Sequence, residues 1–156
     1  MAANNNPEVV EYFDEIHVCD MILECKKEEL KDLQAEVEVM CGIQGANYGD
    51  VRVKSSPDPD KFGTAYGRLE EETMAINAEM VKVLEERRAR IDVIDTIGGI
   101  DSVILTKRYV QGKTWNVIAR EMCYAIATVY KHHERALRKA KTLLVKKGVL
   151  IDSVRN

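Results

Sequence analysis

From Val9 to Met40 the chain repeats at alternating intervals of three and four, through Val9, Tyr12, Ile16, Cys19, Leu23, Lys26, Leu30, Leu33, Val37 and Met40, and only Lys26 is charged. A spacing that averages 3.5 residues keeps these side chains on one face of an α-helix and on no single face of a strand. So long a run in register exceeds what a surface helix of a globular domain needs. It predicts a coiled-coil seam, roughly 48 Å long at about 1.5 Å per residue. A lysine inside such a seam can select register or oligomer state. Gly42 and Gly45 are expected to end this helix.

Residues 42–60 carry Gly, Ser, Pro and Asp without periodicity and read as a connector. Ser56-Pro57-Asp58-Pro59 cannot be helical throughout, because each proline disfavours the helical conformation of the residue before it. Asp58 suits an N-cap, with Pro59 at the first helical position. A second helix is then predicted from about Pro59 to Ile97, striped by Phe62, Tyr66, Leu69, Ile76, Met80, Val83 or Leu84, Ile91 and Ile94. The register shifts near Val83 and Leu84, as at a local stutter. Two long helices with one connector form an antiparallel hairpin or pair with a second copy, and periodicity does not choose between them. Consecutive residues spread around a helix, so Glu70-Glu71-Glu72 and Arg87-Arg88-Ala89-Arg90 read as solvated faces rather than ligand clusters.

The expected fold class is all-α: a long N-terminal helical hairpin or coiled coil over 1–97, and a helix-turn-helix domain over 98–156. Charge at 31% with aromatics at 6% fits helices with broad solvated faces. No run of about 18 apolar residues occurs, and Met1 to Pro7 has neither a basic region nor an apolar signal core, so a cytoplasmic protein without membrane contact is expected. Cys19, Cys25, Cys41 and Cys123 lack the paired spacing of a zinc site and read as reduced thiols.

The net charge of −3 conceals an opposition. Residues 1–100 hold 11 Lys and Arg against 22 Asp and Glu, net −11, whereas residues 101–156 hold 12 against 4, net +8. A basic field attracts nucleic acid or an anionic surface and an acidic field repels both, unless the two parts neutralise each other in one fold. Gly98-Gly99 breaks the second helix where the sign changes, which marks the expected domain boundary. Beyond it, Asp101 or Ser102 can cap a helix that runs to about Val110 and stops at Gln111-Gly112. Thr114 can cap the next, Trp115 to Met122. Cys123-Tyr124-Ala125 form a turn, and a last basic helix runs from about Ile126 to Lys147, ended by Gly148. Short helices, a tight turn and a longer basic helix make a helix-turn-helix pattern. Val117, Ile118 and Met122 can face Val129, Ala136 and Ala140, with Ala119 small enough for close crossing.

The stretch Leu105-Thr106-Lys107-Arg108-Tyr109-Val110-Gln111-Gly112-Lys113-Thr114-Trp115-Asn116-Val117-Ile118-Ala119 resembles the "L-x-x-R-Y-x-x-G-x-x-W-x-x-I-A" pattern of sigma factor region 4. It resembles more closely the small phage late-transcription regulators of the ArpU and RinA type. Thr128-Val129-Tyr130-Lys131-His132-His133-Glu134-Arg135-Ala136-Leu137 continues the likeness as "T-V-Y-x-x-H-x-x-A-L". The resemblance spans about residues 100–140. It implies a region-4-like domain in a phage or prophage protein that controls late genes, associated with the nucleoid of a bacterial host, with its last helix in the major groove. Those families usually place Ser or Thr where this chain has Ala125, so a side-chain cap and its phosphate contact are not expected here.

In a helix-turn-helix the first turns of the second helix reach base edges, which selects Ile126, Ala127, Thr128, Tyr130, Lys131 and Glu134 as candidate readers. Lys113, Thr114, Arg120, Arg135, Arg138 and Lys139 are placed for phosphates. Of His132-His133, one is expected packed and the other polar, with no metal; Trp115 is expected in the core. The expected partner is double-stranded DNA, with host RNA polymerase and a second copy through the coiled coil as protein partners consistent with this reading. A small terminase subunit that recognises packaging DNA, and a structural coiled-coil adaptor that binds no DNA, compete with it. With no phosphate-cradling Gly loop, no H-E-x-x-H and no nucleophile-base pair at a known spacing, neither enzyme activity nor a cofactor is expected.

Overall fold

A computed structural model describes residues 6–45 and 59–150, with 40–45 and 59–62 described by backbone alone. The described residues contain no strand, which agrees with the expected all-α class. Their elements are α1 (Pro7–Gly45), α2 (Pro59–Ile97), α3 (Gly99–Leu105) continuing into a π-helical turn (Thr106–Val110), α4 (Trp115–Met122) and α5 (Ile126–Lys146). The expected connector at 42–60 is helical at both ends, 42–45 in α1 and 59–60 in α2; its residues 46–58, with the Asp58 cap, lie outside the described residues, as do the seam side chains of Met40 and Phe62.

Local chemistry accounts for most of the helix ends. Pro7 occupies the first position of α1, and the Asn6 carbonyl accepts from the Val9 and Val10 amides at 3.2 and 3.3 Å. Helix α1 continues through Gly42 to Gly45, beyond the first glycine expected to stop it. One interior glycine costs a helix only about 1 kcal/mol, which a long helix tolerates. Gly98 and Gly99 both take positive φ, 66° and 65°, so the break between α2 and α3 uses a conformation that other residues avoid. Asp101 and Ser102, expected as caps for α3, lie inside its first turn, and Gly98 precedes the helix without a side-chain cap.

The chain divides into two compact units, one made of the segment up to Asp20 together with Leu84 onward, the other of Met21–Val83. The expected boundary at Gly98 is therefore not where the packing divides. In the first unit Val9, Phe13 and Ile16 of α1 and Val93 and Ile94 of α2 share one core with Leu105, Tyr109 and the α5 residues Ala136, Leu137, Ala140 and Leu144. Ala136 and Ala140 thus face α1 and α2 rather than α4. The start of α1 and the end of α2 run antiparallel here: Arg87 Nε donates to Asp20 Oδ1 at 2.6 Å and Arg90 Nε to the Tyr12 carbonyl at 3.2 Å. Arg90 also bonds Glu15 and lies over the Tyr12 ring, 5.1 Å from its centroid. Neither arginine belongs to the solvated face expected of that charge run. Both share the α2 face of Ile94, at 3-4 spacing through Arg87, Arg90 and Ile94.

In the second unit the seam is only partly closed. Leu23 and Ile76 are buried, but Leu30, Leu33, Val37, Leu69, Met80 and Val83 keep intermediate exposure. Lys26, the charged seam position of α1, reaches Glu79 of α2 at 2.8 Å and Glu29 on its own helix at 2.9 Å. These partners raise the lysine pKa and lower that of Glu79.

Candidate nucleic-acid interface

Helices α3, α4 and α5 meet at a second core of Ile104, Ile118, Ala119 and Val129, with Trp115 and Met122 packed against it. Ala119 is buried there, as its small size requires where helices approach closely. Val117 is half-buried beside them.

A turn of three residues separates α4 from α5. The Tyr124 amide donates to the Ala119 carbonyl at 3.0 Å and the Cys123 amide to the Arg120 carbonyl at 3.2 Å, the two bonds of a Schellman ending. Cys123 fills its left-handed position at φ 55°, where glycine is usual. The same ending closes α5 with Gly148 in that place, Val149 bonding Leu144 at 2.9 Å and Gly148 bonding Val145 at 3.0 Å. Helix α5 begins from Ala125, whose carbonyl accepts from the Thr128 and Val129 amides. No side chain caps α5, in keeping with the alanine there, and Thr114 at the start of α4 likewise makes no side-chain cap.

This junction sorts the expected base-reading residues into different surroundings. Ile126 and Tyr130 are 40% and 41% exposed, and Ala127 and Lys131 are also exposed. Thr128 and Glu134 have intermediate exposure. Tyr130 leans on Trp115, with ring centroids 5.2 Å apart. Val129 points inward and is fully buried. Lys131 makes no ion pair or hydrogen bond among the described residues, so its ammonium is uncommitted.

The expected phosphate residues divide more sharply. Arg120 is exposed without an ion pair among the described residues, Arg138 is exposed and 3.9 Å from Glu134, and the exposed Thr114 keeps its hydroxyl out of the cap. Lys113 instead bonds Glu121 at 2.7 Å, and Lys107 joins the same carboxylate at 2.5 Å. Arg135 and Lys139 converge on Asp101, which is 2% exposed. Arg135 Nε donates to Asp101 Oδ2 at 2.8 Å and Nη2 to Oδ1 at 2.7 Å, while Lys139 Nζ donates to Oδ2 at 2.8 Å. His132 Nδ1 lies 3.0 Å from Oδ1. Burial pushes the Asp101 carboxyl up, but the bonds from Arg135, Lys139 and His132 outweigh it and hold the group well below the usual carboxylate range. Asp101 is thus the anchor of α3 on α5.

A ring cluster that joins distant segments lies beside this ion-pair cluster. His133 is buried, its Nε2 3.0 Å from the Tyr109 hydroxyl and its ring 4.6 Å from Trp115. Phe13 tilts against Tyr109 at 5.4 Å, and Arg108 covers the Trp115 ring at 4.9 Å while donating to the Lys113 carbonyl at 3.0 Å. Burial, aided by the Arg108 charge, pushes the His133 pKa down to about 4, so this imidazole is neutral at pH 7. The π-helical turn sits at this point, with the Gln111 amide bonding the Thr106 carbonyl at 3.0 Å.

One signal could have found the ion pairs. Residues 101–156 hold only four acids, Asp101, Glu121, Glu134 and Asp152. Each of the first three has a basic partner from the same segment. A sparse acid in a basic segment marks where that segment holds itself together.

Among the described residues no group of three or more His, Cys, Asp and Glu can hold a metal ion, and no helix is long and apolar enough to cross a membrane. Comparison of the chain with family models, with curated proteins and with solved structures found no match.

Proposed function

We propose that the chain is a sequence-specific DNA-binding transcription regulator, in which α4, the turn at Cys123–Ala125 and α5 act as a helix-turn-helix and the first turns of α5 enter the major groove. The observation that carries this reading is the division of those turns. Val129 and His133 are locked inward, while Ile126, Ala127, Tyr130 and the uncommitted Lys131 face outward. A rigid helix with an open outer face is what base readout requires.

The charge of the segment supports the same reading, since +8 over residues 101–156 draws a polyanion. Lys131, Thr114 and Arg120 stand uncommitted among the described residues, and Arg138 has only the long contact with Glu134 at 3.9 Å. Lys113, Arg135 and Lys139 meet phosphate only by sharing or leaving their carboxylates. The likeness of residues 105–137 to sigma region 4 and to ArpU and RinA regulators supports control of phage or prophage late genes, with host RNA polymerase as protein partner. The half-open seam of Met21–Val83 supports pairing with a second copy, because two helices alone leave their shared stripe partly wet.

The experiment is selection of duplexes from a random library by the full chain, followed by a salt series on the winner. A defined motif and a log-log salt slope between roughly −2.7 and −4.5, for about three to five neutralised phosphates, are expected. No enrichment and a slope near zero would refute the proposal.

A further inference from the structure

The outer face at the start of α5 is unusual for a basic segment, because most of what it exposes is apolar. Ile126, Ala127 and Tyr130 stand open there with Lys131, all four within an arc of about 140° at ~100° per residue. Tyr124, 37% exposed just before the helix, stacks on His132, which lies outside this arc. Stability of the fold does not explain this exposure, since the buried partners of α4 on this helix are Val129 and its neighbours in the core. The polar readers are few: Thr128 and Glu134 are half-covered, and Glu134 has Arg138 within 3.9 Å.

In the major groove one base carries an apolar group, the C5 methyl of thymine, and apolar side chains are its partners. The charge of the segment favours a polyanionic occupant over an apolar protein groove, because residues 101–156 carry +8 and Lys131 stands in the patch without an ion pair among the described residues. We infer that Ile126, Ala127 and Tyr130 read thymine methyls, so that the preferred site places two or more thymines against the start of α5, next to one base pair read by Lys131. This rests on the DNA-binding reading above and adds the chemical class of base recognised. Trp115, 5.2 Å from Tyr130, acts as a positioning residue that holds the tyrosine ring in this face.

The test uses the full chain and changes the DNA first. In the selected duplex each thymine is replaced in turn by deoxyuridine, which pairs identically with adenine and lacks only the C5 methyl. Two or more positions are expected to weaken binding by about fourfold each, the effect of one buried methyl group. At least one of those losses is then expected to vanish in Ile126→Ser or Tyr130→Ser, with the melting temperature measured for each because Tyr130 packs on Trp115. Sequence-specific binding that ignores every deoxyuridine would overturn the inference and leave the DNA-binding proposal standing. Methyl losses that persist undiminished in both variants would also overturn it, and would leave the apolar patch to a protein partner. Absence of any sequence preference would sink the DNA-binding proposal and this inference together.

Discussion

Val9, Phe13 and Ile16 lie on the same helix as Leu30, Leu33 and Val37, and both sets have helical spacing, yet the first three are fully buried and the second three are not. The difference is the number of helices that meet the stripe. In the unit containing Val9, α5 brings Ala136, Leu137, Ala140 and Leu144 onto the paired segments of α1 and α2 and closes the core. Among the described residues of Met21–Val83 the stripe of α1 has that of α2 and no third helix. A hydrophobic period specifies a helix and the face it uses. How dry that face becomes depends on what else the chain delivers to it.

The largest effect should come from testing that contrast directly. Phe13→Ala opens a cavity among residues with no exposure and should lower unfolding stability by about 3–5 kcal/mol. Leu33→Ala, on the half-open seam, should cost roughly 1–2 kcal/mol, since less area leaves water there in the first place. Denaturant midpoints of the two variants decide it. Equal losses would mean that the two stretches of seam are equally closed. For the same reason residues 98–156 on their own lack Val9, Phe13, Ile16, Val93 and Ile94, and DNA binding is best measured on the full chain.

Acid should probe the closed unit next. The folded pKa of His133, about 4, lies below its ordinary 6.5. Between those values the unfolded chain takes up a proton that the folded chain refuses. Stability should be level above about pH 7 and fall by roughly 3 kcal/mol on acidification to pH 4. Asp101 does not contribute in that window. Its folded pKa is depressed, so its stabilisation is complete above the ordinary carboxylate value and is lost only at lower pH. Unfolding curves from pH 7 to pH 4 check this, and a flat profile would show that His133 is hydrated.

A third effect separates the two ionic clusters. Asp101→Asn leaves a buried group that three α5 side chains address, and should cost about 1–3 kcal/mol, moderated because Arg135 and Lys139 can turn to water. Glu79→Gln, in the exposed Lys26 cluster, should change stability little and lose even that in high salt. Thermal unfolding at two salt concentrations distinguishes them, and a larger loss for Glu79→Gln would reverse the contrast. The smallest effect concerns the two Schellman endings. Cys123→Gly should stabilise the chain by about 0.5–1 kcal/mol, since Gly148 already meets the same left-handed requirement without strain. A lower melting temperature would show that the Cys123 side chain contributes more than its backbone costs.

Local signals made much of this legible in advance. Pro59, Gly98-Gly99, Gln111-Gly112 and Gly148 mark the ends of helices because proline and glycine act on their own backbone. The inward positions of Ile118, Ala119 and Val129 followed from helical period. What stayed hidden depends on the third dimension. Asp101 meets its partners 31 to 38 residues further on, and nothing near it in sequence distinguishes an anchor from a cap. Arg87 and Arg90 looked solvated because a charge run hides the two members that share the seam's spacing. The sharing of one core by Phe13 and Leu144 joined segments that the charge reversal at Gly98 had separated.

The measurement closest to the central claim compares two cations on α5 in the full chain. Lys131 lies on the outer face of the first two turns, and Arg138 about two turns further along. Both variants are titrated against the selected duplex, its single-base variants and random duplex at two salt concentrations. Lys131→Ala should lose about 1–3 kcal/mol on the selected site and relax preference at one base pair. Arg138→Ala should weaken all duplexes alike and lower the salt slope by about one phosphate. Equal loss on every duplex for Lys131→Ala, or a base-specific loss for Arg138→Ala, would contradict the placement of α5 in the groove.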